Sequence, residues 1–535
     1  MKEKKNYTLN QELEQVENQL LKFIQRRTKL LAKIASKRLE QTKPPVDTVL
    51  EKNLWNIWKQ KIKGENQRFF RQLFSTLNNI SYARAESKKQ VDRPFCLYPR
   101  KEPLDFQTNA PLSLFQARVS IILAALSSTE THIEPFPLND PLVELIKALN
   151  QVNAKISWQH NSLHAGPSDL LFEGRSIFLG EYKTTLYSIL SLALTQAGSC
   201  RLNAAPALKI LNLKDVQDLL PKLGARLSFI EPQTYNLPAR LESSGQLPKE
   251  IVLPQNLDPL FGICLILAGI GYKKDITLIF SDLPPEIQEL ECILKQWKIS
   301  VVFSKNTVHI PAQQIKSPLP LFLEADPLLS SYLLVLPYIT TGRVKLLGRW
   351  SKHSLKAQFA QKLFKELGLN FHYTENSMET SLTSQNISEP HFDVGSSKDF
   401  FPLVLALAIA KKSKAIIYHQ LEEGTDLEIG IELLKFLNFN YTLHPEYLEI
   451  EYQGEDRKDQ KIWSSPSPLW TLSYGLISFA FKGIGLDNPA SITQIWPTFW
   501  KIFQSLPQGK LETKPKESID EPGKRRIRIL GDKET

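Results

Sequence analysis

The chain has 535 residues, of which 42% are hydrophobic and 23% charged, a composition typical of soluble globular proteins with several domains. Its longest apolar runs, about a dozen residues, are shorter than the roughly 20 that cross a bilayer, and the charged residues after Met1 do not form a signal peptide. The four cysteines show no spacing typical of zinc sites or disulfide frameworks. We therefore expect a cytoplasmic protein that does not associate with membranes.

Residues 1–90 are predicted to form an all-α domain of three helices. The first helix carries an apolar stripe with steps of four and three residues, interrupted by Arg27. The stripe consists of Leu9, Leu13, Val16, Leu20, Phe23, Leu30 and Ile34. Pro44-Pro45 ends this segment, and further helices are predicted at Thr48–Lys63 and Asn66–Ser87. Because three such helices make a thin core, we expect a homodimer through them or docking on the rest of the chain.

From about Asn109 to Leu506, a unit of about 70 residues recurs six times. Each copy begins with a nearly uncharged helix, followed by a short β-like run, an amphipathic helix and a second β-like run. The six apolar helices are predicted at Val119–Leu126, Tyr187–Leu194, Leu260–Ile270, Leu329–Tyr338, Phe401–Ala410 and Leu469–Phe481. The period is too long for a helical or leucine-rich solenoid, so each copy is predicted to be a globular βαβαβ-type module. The fold class is therefore α/β.

The six modules are predicted to form two lobes of three, because Pro318–Ala325 separates the third copy from the fourth. Lobe 2 is expected to cover residues 112–317, and lobe 1 residues 106–111 and 318–508. Residues 91–105, polar and proline-containing, are predicted to be a linker. Residues 509–535 form a basic tail that we expect to be disordered. Nucleic-acid binding through this tail would give strongly salt-dependent affinity, but a solvated end explains the charge equally simply.

Three segments carry a resemblance to a known family. Residues 323–333 read LEADPLLSSYL and are similar to the pattern v-E-x-D-x-S-x-A-S-Y-f of 5-enolpyruvylshikimate-3-phosphate (EPSP) synthases. Asp393–Asp399, followed by an apolar helix, resembles the family's D-x-N-x-x-P-D segment. Residues 179–187 stand where the family has L-G-N-A-G-T-A-M-R. The resemblance covers about residues 109–506 and implies the two-lobed enolpyruvyl transferase fold.

The resemblance also implies an activity. Enzymes of this family transfer the enolpyruvyl group of phosphoenolpyruvate to the 5-hydroxyl of shikimate 3-phosphate, a step of aromatic amino-acid (chorismate) biosynthesis, without a metal or organic cofactor. Both substrates are anions, so Lys and Arg side chains are expected in the cleft between the lobes. These cations would stabilise the charge of the tetrahedral intermediate, and a carboxylate would handle the proton of the hydroxyl group.

Four positions match the family's functional residues. Asp326 stands where the family has its proton-handling aspartate, which makes it the candidate catalytic residue. Thr184 matches a threonine of the second module, Ser113 a serine of the first, and Arg118 an arginine of the first, displaced by one position. Asp326 has an alternative role as the cap of a helix that starts at Pro327, because Asp-Pro is a common helix start.

Other positions depart from the family pattern. Several positions where the family has lysine or arginine carry uncharged residues here, namely Leu112, Tyr187, Ala207 and Gln494. The family's cationic R-x-K-E-T-D-R turn reads EEGTDL at residues 422–427. Each lost charge-assisted hydrogen bond to a substrate anion costs roughly 1.5–3 kcal/mol unless other cations substitute. The candidate substitutes are Lys183, Lys209, Arg349, Lys352 and Lys398, of which we take Lys183 and Arg349 as candidate substrate-binding residues.

Two functions therefore stand side by side. The chain is either an EPSP-synthase-type transferase or a catalytically degenerate homologue that binds a partner or a metabolite of the same pathway. Retention of the fold and Asp326 favours the first hypothesis, and loss of the cations favours the second.

The N-terminal helices have a resemblance of their own. Leu9–Arg38 is similar to the first helix of the all-helical chorismate mutases. Arg27 and Arg38 match two inward cations of that helix, and Asp47 and Glu51 match the acidic pair of the second helix. The resemblance implies a chorismate-mutase-like pocket formed by these four residues. A dimerising helical hairpin, with Arg27 reaching past the apolar stripe to water, is the alternative, and we do not expect mutase turnover.

Overall fold

The structure, a computed structural model, describes most of the chain. The described residues are 9–41, 43, 46–62, 67–87, 95–159, 161–231, 234–318, 320–351, 354–382, 390–395, 397–421, 426–453, 462–481 and 483–507. Several sequence predictions concern residues outside these ranges, namely those for Pro44-Pro45, Lys352, residues 422–425 and the basic tail.

Three α-helices form the N-terminal region, as the sequence predicts. They are α1 (Leu9–Glu40), α2 (Thr48–Lys61) and α3 (Gln67–Ser87). The second half of α1 packs against α3, and a small core forms from Leu31, Ala32 and Ala35 of α1 with Tyr82 of α3. The apolar side chains of the first half of α1 stay exposed, as Leu13 and Val16 show at 61% and 54% of their surface.

The predicted linker, residues 91–105, lies partly in sheets, because β1 (Phe95–Cys96) falls within it and β2 (Leu104–Asn109) begins at its end. Strand β1 pairs with a strand near the end of the chain through Phe95 and Leu486, and Leu97 and Leu104 are buried. The physical reason is that alternating apolar side chains in a polar, proline-containing stretch are sufficient for short edge strands once a sheet stands beside them.

Lobe 2 contains three modules around one apolar core, which extends from Ala117 to Leu323. Its helices are α4 (Leu114–Leu126), α5 (Asp140–Gln151), α6 (Lys183–Ala193), α7 (Lys214–Leu219), α8 (Pro259–Ile270) and α9 (Ile287–Gln296), with the 3₁₀ turns η1 (Leu208–Ile210) and η2 (Leu220–Leu223). Its strands are β3 (Thr131–Ile133), β4 (Lys155–Gln159), β5 (Ser162–Gly166), β6 (Ser176–Phe178), β7 (Ala197–Asn203), β8 (Ala225–Phe229), β9 (Ala239–Ser244), β10 (Glu250–Val252), β11 (Ile276–Ile279), β12 (Val302–Phe303) and β13 (Thr307–Ile310).

Lobe 1 repeats this plan around a second core, which extends from Ala325 to Leu506 and includes Leu97 and Leu104. Its helices are α10 (Pro327–Leu334), α11 (Leu336–Thr340), α12 (Leu355–Glu366), α13 (Phe401–Lys411), α14 (Asp426–Leu437), α15 (Pro468–Ile477) and α16 (Phe499–Ser505), with η3 (Lys398–Phe400) and η4 (Pro489–Gln494). Its strands are β14 (Gly342–Leu347), β15 (Leu369–Tyr373), β16 (Ser377–Leu382), β17 (His391–Asp393), β18 (Ala415–Tyr418), β19 (Phe439–Leu443), β20 (Tyr447–Tyr452), β21 (Ile462–Trp463) and β22 (Gly485–Leu486).

Six small sheets confirm the six-fold repeat. Four of them share one strand order, β6-β7-β9-β8, β10-β11-β13-β12, β2-β14-β16-β15 and β17-β18-β20-β19, in which the first pair is parallel and the others antiparallel. The remaining sheets have the orders β3-β5-β4 and β1-β22-β21. Strand β2 pairs with β14 from Leu104 opposite Gly342 to Asn109 opposite Leu347, so a strand that precedes lobe 2 in the chain belongs to a lobe 1 sheet.

The six predicted apolar helices are α4, α6, α8, α10, α13 and α15, and they lie inside the lobes. In α8 and α13, nearly every side chain is buried, which explains why these helices have an apolar surface all round instead of a single stripe. Helix α6 packs against α8, and α13 packs against α15. The helices between modules are amphipathic because only one of their faces contacts the core.

Candidate functional site

The chain passes between the lobes twice, near residues 110–113 and 322–326, and we call these segments the chain crossings. They lie side by side and bring the first turns of α4 and α10 together. Leu112 forms an antiparallel bridge with Ala325. The Ser113 amide donates to the Glu324 carbonyl at 2.8 Å, and the Asp326 amide donates to the Pro111 carbonyl at 2.8 Å. The crossings therefore place two of the predicted site residues, Ser113 and Asp326, at adjacent helix starts.

Ser113 caps α4 and contacts a buried acid. Its Oγ accepts a hydrogen bond from the Gln116 amide at 3.2 Å and donates to Oε1 of Glu289 at 3.0 Å. Only 4% of its surface is exposed. The hydroxyl group is therefore already paired within the protein.

Asp326 caps α10, which is the alternative role that the sequence suggests for it. Its Oδ1 accepts a hydrogen bond from the Leu329 amide at 2.9 Å, and Pro327 follows at the first helical position. Burial raises the pKa of the Asp326 carboxyl, and the nearby Lys356 opposes this rise.

A group of charged side chains around Lys356 lies beside this cap and was missed by sequence reasoning. The Lys356 Nζ lies 2.8 Å from Oδ2 of Asp399, which stands in η3. Burial and the negative charge of Asp326 raise the pKa of Glu289 to about 7, whereas Lys356 acts in the opposite direction. Burial alone would lower the pKa of Lys356, but Asp399 and Asp326 outweigh it and raise this pKa. Glu289 gave no sequence signal, because an acid on an amphipathic helix looks like an ordinary surface residue.

The starts of α6 and α8 meet in lobe 2 through an ion pair. Lys183 Nζ lies 2.9 Å from Oδ2 of Asp258, and Asp258 also caps α8 by accepting from the Leu260 amide at 3.0 Å. Tyr187 forms a hydrogen bond with Asp258, and burial followed by this carboxylate raises the pKa of its hydroxyl. The positive charge of Lys183 is therefore neutralised by the carboxylate of Asp258.

Thr184 and Arg118 have unpaired polar groups. Thr184 is half-buried in the first turn of α6, and its hydroxyl has no hydrogen-bond partner among the described residues. Arg118 is half-buried in α4 near Cys264 of α8, and burial lowers the pKa of its guanidinium. No carboxylate pairs with Arg118 in the described part of the chain. Arg118 is thus a half-buried arginine beside the middle of α8, without a carboxylate partner among the described residues.

Arg349 lies elsewhere, in what we call the hinge cavity. This space of about 1120 Å³ is lined by both chain crossings, the end of β14, the segment from Pro135 to Asn139 and α16. Arg349 is exposed there, and none of the other predicted substrate-binding residues lines this cavity. The structure therefore does not bring Arg349 together with Arg118 and Lys183.

The other candidate cations are dispersed. Lys398 is exposed in η3. Lys209 lies in η1 and faces the N-terminal helices. Lys352 lies outside the described residues.

A direct contact closes one side of the space between the lobes. Asn139 at the start of α5 donates from Nδ2 to the Gln494 carbonyl at 2.6 Å, and the Thr493 hydroxyl donates to Oδ2 of Asp140 at 2.5 Å. These bonds join lobe 2 to η4 of lobe 1.

The sequence model of the family described as EPSP synthase (3-phosphoshikimate 1-carboxyvinyltransferase) matches residues 107–500, which include both lobes. The chain belongs to the EPSP synthase family. A 3-phosphoshikimate 1-carboxyvinyltransferase of Syntrophobacter fumaroxidans is 22% identical over 414 residues, covering 75% of this chain and 96% of the relative. One of the same name in Buchnera aphidicola is 24% identical over 358 residues, covering 63% and 80%.

Solved structures show the same fold. EPSP synthase from Acinetobacter baumannii matches with a TM-score of 0.65 at 14% identity, over 78% of this chain and 99% of that chain. The enolpyruvyl transferase NikO from Streptomyces tendae matches with a TM-score of 0.59 at 13% identity, over 77% and 97%. The enolpyruvyl transferase fold that the family resemblance implies is therefore present, preceded by the helical region.

Outside the part of the chain that the EPSP synthase model matches, the four predicted mutase-like residues lie in two hydrogen-bonded groups. Arg38 pairs with Asp47 at 2.8 Å, and Asp47 also caps α2. Arg27 donates from Nη2 to Oδ1 of Asn78 at 2.6 Å, and Asn78 in turn donates to Oε1 of Glu51 at 2.9 Å. Arg27 therefore points towards α3 rather than to water, so the alternative interpretation of this side chain is wrong.

The described residues contain neither a membrane-spanning helix nor a metal-binding cluster. No helix there is long and apolar enough to cross a membrane. No group of three or more His, Cys, Asp or Glu side chains in the same residues is placed to hold a metal ion.

Proposed function

We propose that this chain transfers the enolpyruvyl group of phosphoenolpyruvate to the 5-hydroxyl of shikimate 3-phosphate, in the cytoplasm. Membership of the EPSP synthase family supports the reaction class, and the names of the curated relatives support these substrates. The observation within the chain that carries the proposal is Arg118. A half-buried guanidinium without a carboxylate partner is costly unless an anion neutralises it, and both substrates are anions.

The surroundings of Arg118 fit such an anion. Helix starts carry a partial positive charge and unpaired amide groups, and the starts of α6 and α8 lie near one another through Lys183 and Asp258. Lys183 would exchange Asp258 for a substrate anion, and the free Thr184 hydroxyl would donate a hydrogen bond. Each charge-assisted bond would contribute roughly 1.5–3 kcal/mol.

Phosphate release from phosphoenolpyruvate and shikimate 3-phosphate tests the proposal. We expect turnover by the full chain and a loss of at least about tenfold in kcat/KM for Arg118→Met, since one charge-assisted bond disappears. Arg226→Met, which removes an exposed arginine of β8, is the matched control and should leave turnover unchanged. A folded protein that releases no phosphate at high substrate concentration would refute the transferase function.

A second candidate function is binding without turnover, and one observation favours it. The position where the family has an arginine carries Tyr187, and this side chain and Lys183 both contact Asp258, so a carboxylate occupies part of the expected anion site. Calorimetry with shikimate 3-phosphate distinguishes the two functions: heat of binding together with absent phosphate release is the signature of the degenerate homologue.

We further infer that the chain forms a homodimer through α1. This helix has 32 residues and is about 48 Å long, but its buried side chains all lie in its second half, at Thr28, Leu31, Ala32 and Ala35. The exposed stripe in the first half includes Leu9, Leu13, Val16, Leu20 and Phe23. Exposed apolar surface of this length is typical of an interface, and a second copy of the same helix offers the matching stripe.

A further inference from the structure

A cavity of about 360 Å³ lies where the N-terminal helices meet lobe 2, and we call it the junction cavity. Helices α2 and α3 supply one wall, with Trp55, Phe74 and Ser75 among its residues. Lobe 2 supplies the other wall through Lys209 and Glu231. The volume is at the low end of the range for small-molecule sites, so the cavity is of a size that holds a small ligand.

The junction cavity exists only because the helices dock on lobe 2. Asn79 of α3 donates from Nδ2 to the Lys209 carbonyl at 3.1 Å. The Arg71 guanidinium lies 4.5 Å from the ring centre of Trp55, and its Nη2 is 3.8 Å from Oε2 of Glu231. The cavity is therefore a composite of two parts of the chain, and either part alone would leave it open.

The carboxylates of the junction cavity already have partners. Oε1 of Glu51 accepts from Tyr82 at 2.9 Å and from Asn78 at 2.9 Å. Glu231 faces Arg71, although at 3.8 Å this ion pair is longer than a charge-assisted hydrogen bond.

Lys209 and Ser75 are among the cavity residues whose polar side-chain groups have no partner within the described part of the chain. Lys209 is half-buried, and its amine forms neither an ion pair nor a hydrogen bond there. Ser75 is 8% exposed, and its hydroxyl likewise has no partner. A hydroxyl donor and an amine that line the cavity beside aromatic side chains favour a ligand that has an acceptor and an apolar body.

We propose that the junction cavity binds a small cyclic organic anion, with its carboxylate or phosphate at Lys209 and Ser75 and its ring against Trp55 and Phe74. The positive charge of Lys209 and the loosely paired Arg71 favour the anion, and the aromatic side chains favour the ring. The volume of about 360 Å³ favours a molecule of metabolite size.

A ligand bound at Lys209 would contact a residue of η1, and hydrogen bonds connect this turn to the rest of lobe 2. Lys209 belongs to η1, and the Asn236 side chain holds the end of this turn by donating to the carbonyls of Ile210 and Leu211 at 3.3 and 3.1 Å. The Ala205 amide before the turn donates to the Gly180 carbonyl at 2.9 Å, three residues before Lys183. An occupied junction cavity therefore stabilises η1 and the segment that leads to the start of α6.

The test uses the full chain and 4-fluorobenzoate as the probe, with binding measured from the line width of its fluorine resonance. We expect broadening by the wild type, and dissociation constants raised about tenfold by Lys209→Gln and severalfold by Ser75→Ala. Lys222→Gln, an exposed lysine of η2, is the matched control and should bind as the wild type does. The cation 4-fluorobenzylammonium should not bind.

Two further results complete the test. Addition of 4-fluorobenzoate should slow amide hydrogen exchange in peptides that cover residues 205–211 of the wild type and the Lys222 variant, but not of the Lys209 variant. Equal binding by the wild type and the Lys209→Gln and Ser75→Ala variants would place the probe elsewhere and overturn the proposal. Equal binding of the cation, or no broadening of the anion at millimolar protein and probe, would overturn it as well.

Discussion

At the scale of single residues, Asp326 illustrates how one carboxylate can satisfy two sequence patterns. It matches the family's proton-handling aspartate and also a helix cap before proline. In the structure its Oδ1 accepts the Leu329 amide, so the capping role has direct geometric support, and the catalytic role stays a prediction.

The substitutions Asp326→Asn and Asp326→Ala separate these roles. Asparagine caps a helix as well as aspartate does, so the asparagine variant should keep the free energy of unfolding of the wild type, whereas alanine should lower it by roughly 1–2 kcal/mol. Chemical denaturation measures both changes. A loss of phosphate release in the asparagine variant at unchanged stability would show that the carboxyl handles a proton as well as capping α10.

Glu289 makes a second prediction, for the pH dependence of stability. Its pKa rises from 4.5 in the unfolded chain to about 7 in the folded protein, because it is buried and faces Asp326 and Glu324, opposed by Lys356 and by the hydrogen bond from Ser113. The folded state then holds the proton more tightly than the unfolded state. The stability contributed by protonated Glu289 is therefore present below about pH 4.5 and is lost as the pH rises through 7.

Glu289→Gln should remove this dependence, because glutamine keeps the acceptor for Ser113 without a charge. We expect the variant to be more stable than the wild type by roughly 1–3 kcal/mol at pH 8 and equally stable near pH 4. Urea denaturation at both pH values measures the difference. Glu291→Gln, which disrupts an exposed pair with Lys295 on the same helix, is the control. A difference that does not change with pH would contradict the proposed burial of Glu289.

At the scale of elements, the sequence predicts the six core helices well. A helix that is apolar all round has to be buried, and six of them at a regular period leave few architectures in which each is covered. Gly342 shows how closely two strands of lobe 1 approach each other. Gly342, at the start of β14, has a φ of 91°, and a β-carbon there would collide with the backbone of Leu104. A glycine is therefore required at position 342, because β2 pairs closely with β14 there.

The candidate site is less predictable because its contacts join distant parts of the chain. Lys183 and Asp258 lie in different modules, so no local pattern shows that they form an ion pair. Strand β1 is similarly invisible, since two residues become a strand only when β22 lies beside them. Side-chain spacing reports the period of an element and the face that it buries, whereas charge pairing across modules depends on the assembled fold.

At the scale of the whole molecule, the chain combines two lobes with a helical region whose described contacts lead to lobe 2. The described contacts of α3 with lobe 2 run through Asn79 and Lys209 and through Arg71 and Glu231. The second half of α1 is buried against α3 and the segment that leads into α2, and the first half supplies no residue to this core. The exposed half is therefore free to join two molecules without disturbing either lobe.

The oligomeric state tests this arrangement. We expect the wild type to sediment as a dimer and Leu20→Glu to shift it towards the monomer, because a charge in the apolar stripe is not neutralised when two α1 helices pack together. Asn18→Glu adds the same charge on the opposite face of α1 and is the matched control, which should remain dimeric. Sedimentation velocity at several protein concentrations measures both variants. Because Leu20 lies far from the cores of the lobes, the monomeric variant should still release phosphate, and a wild type that is monomeric at all concentrations would exclude the dimer.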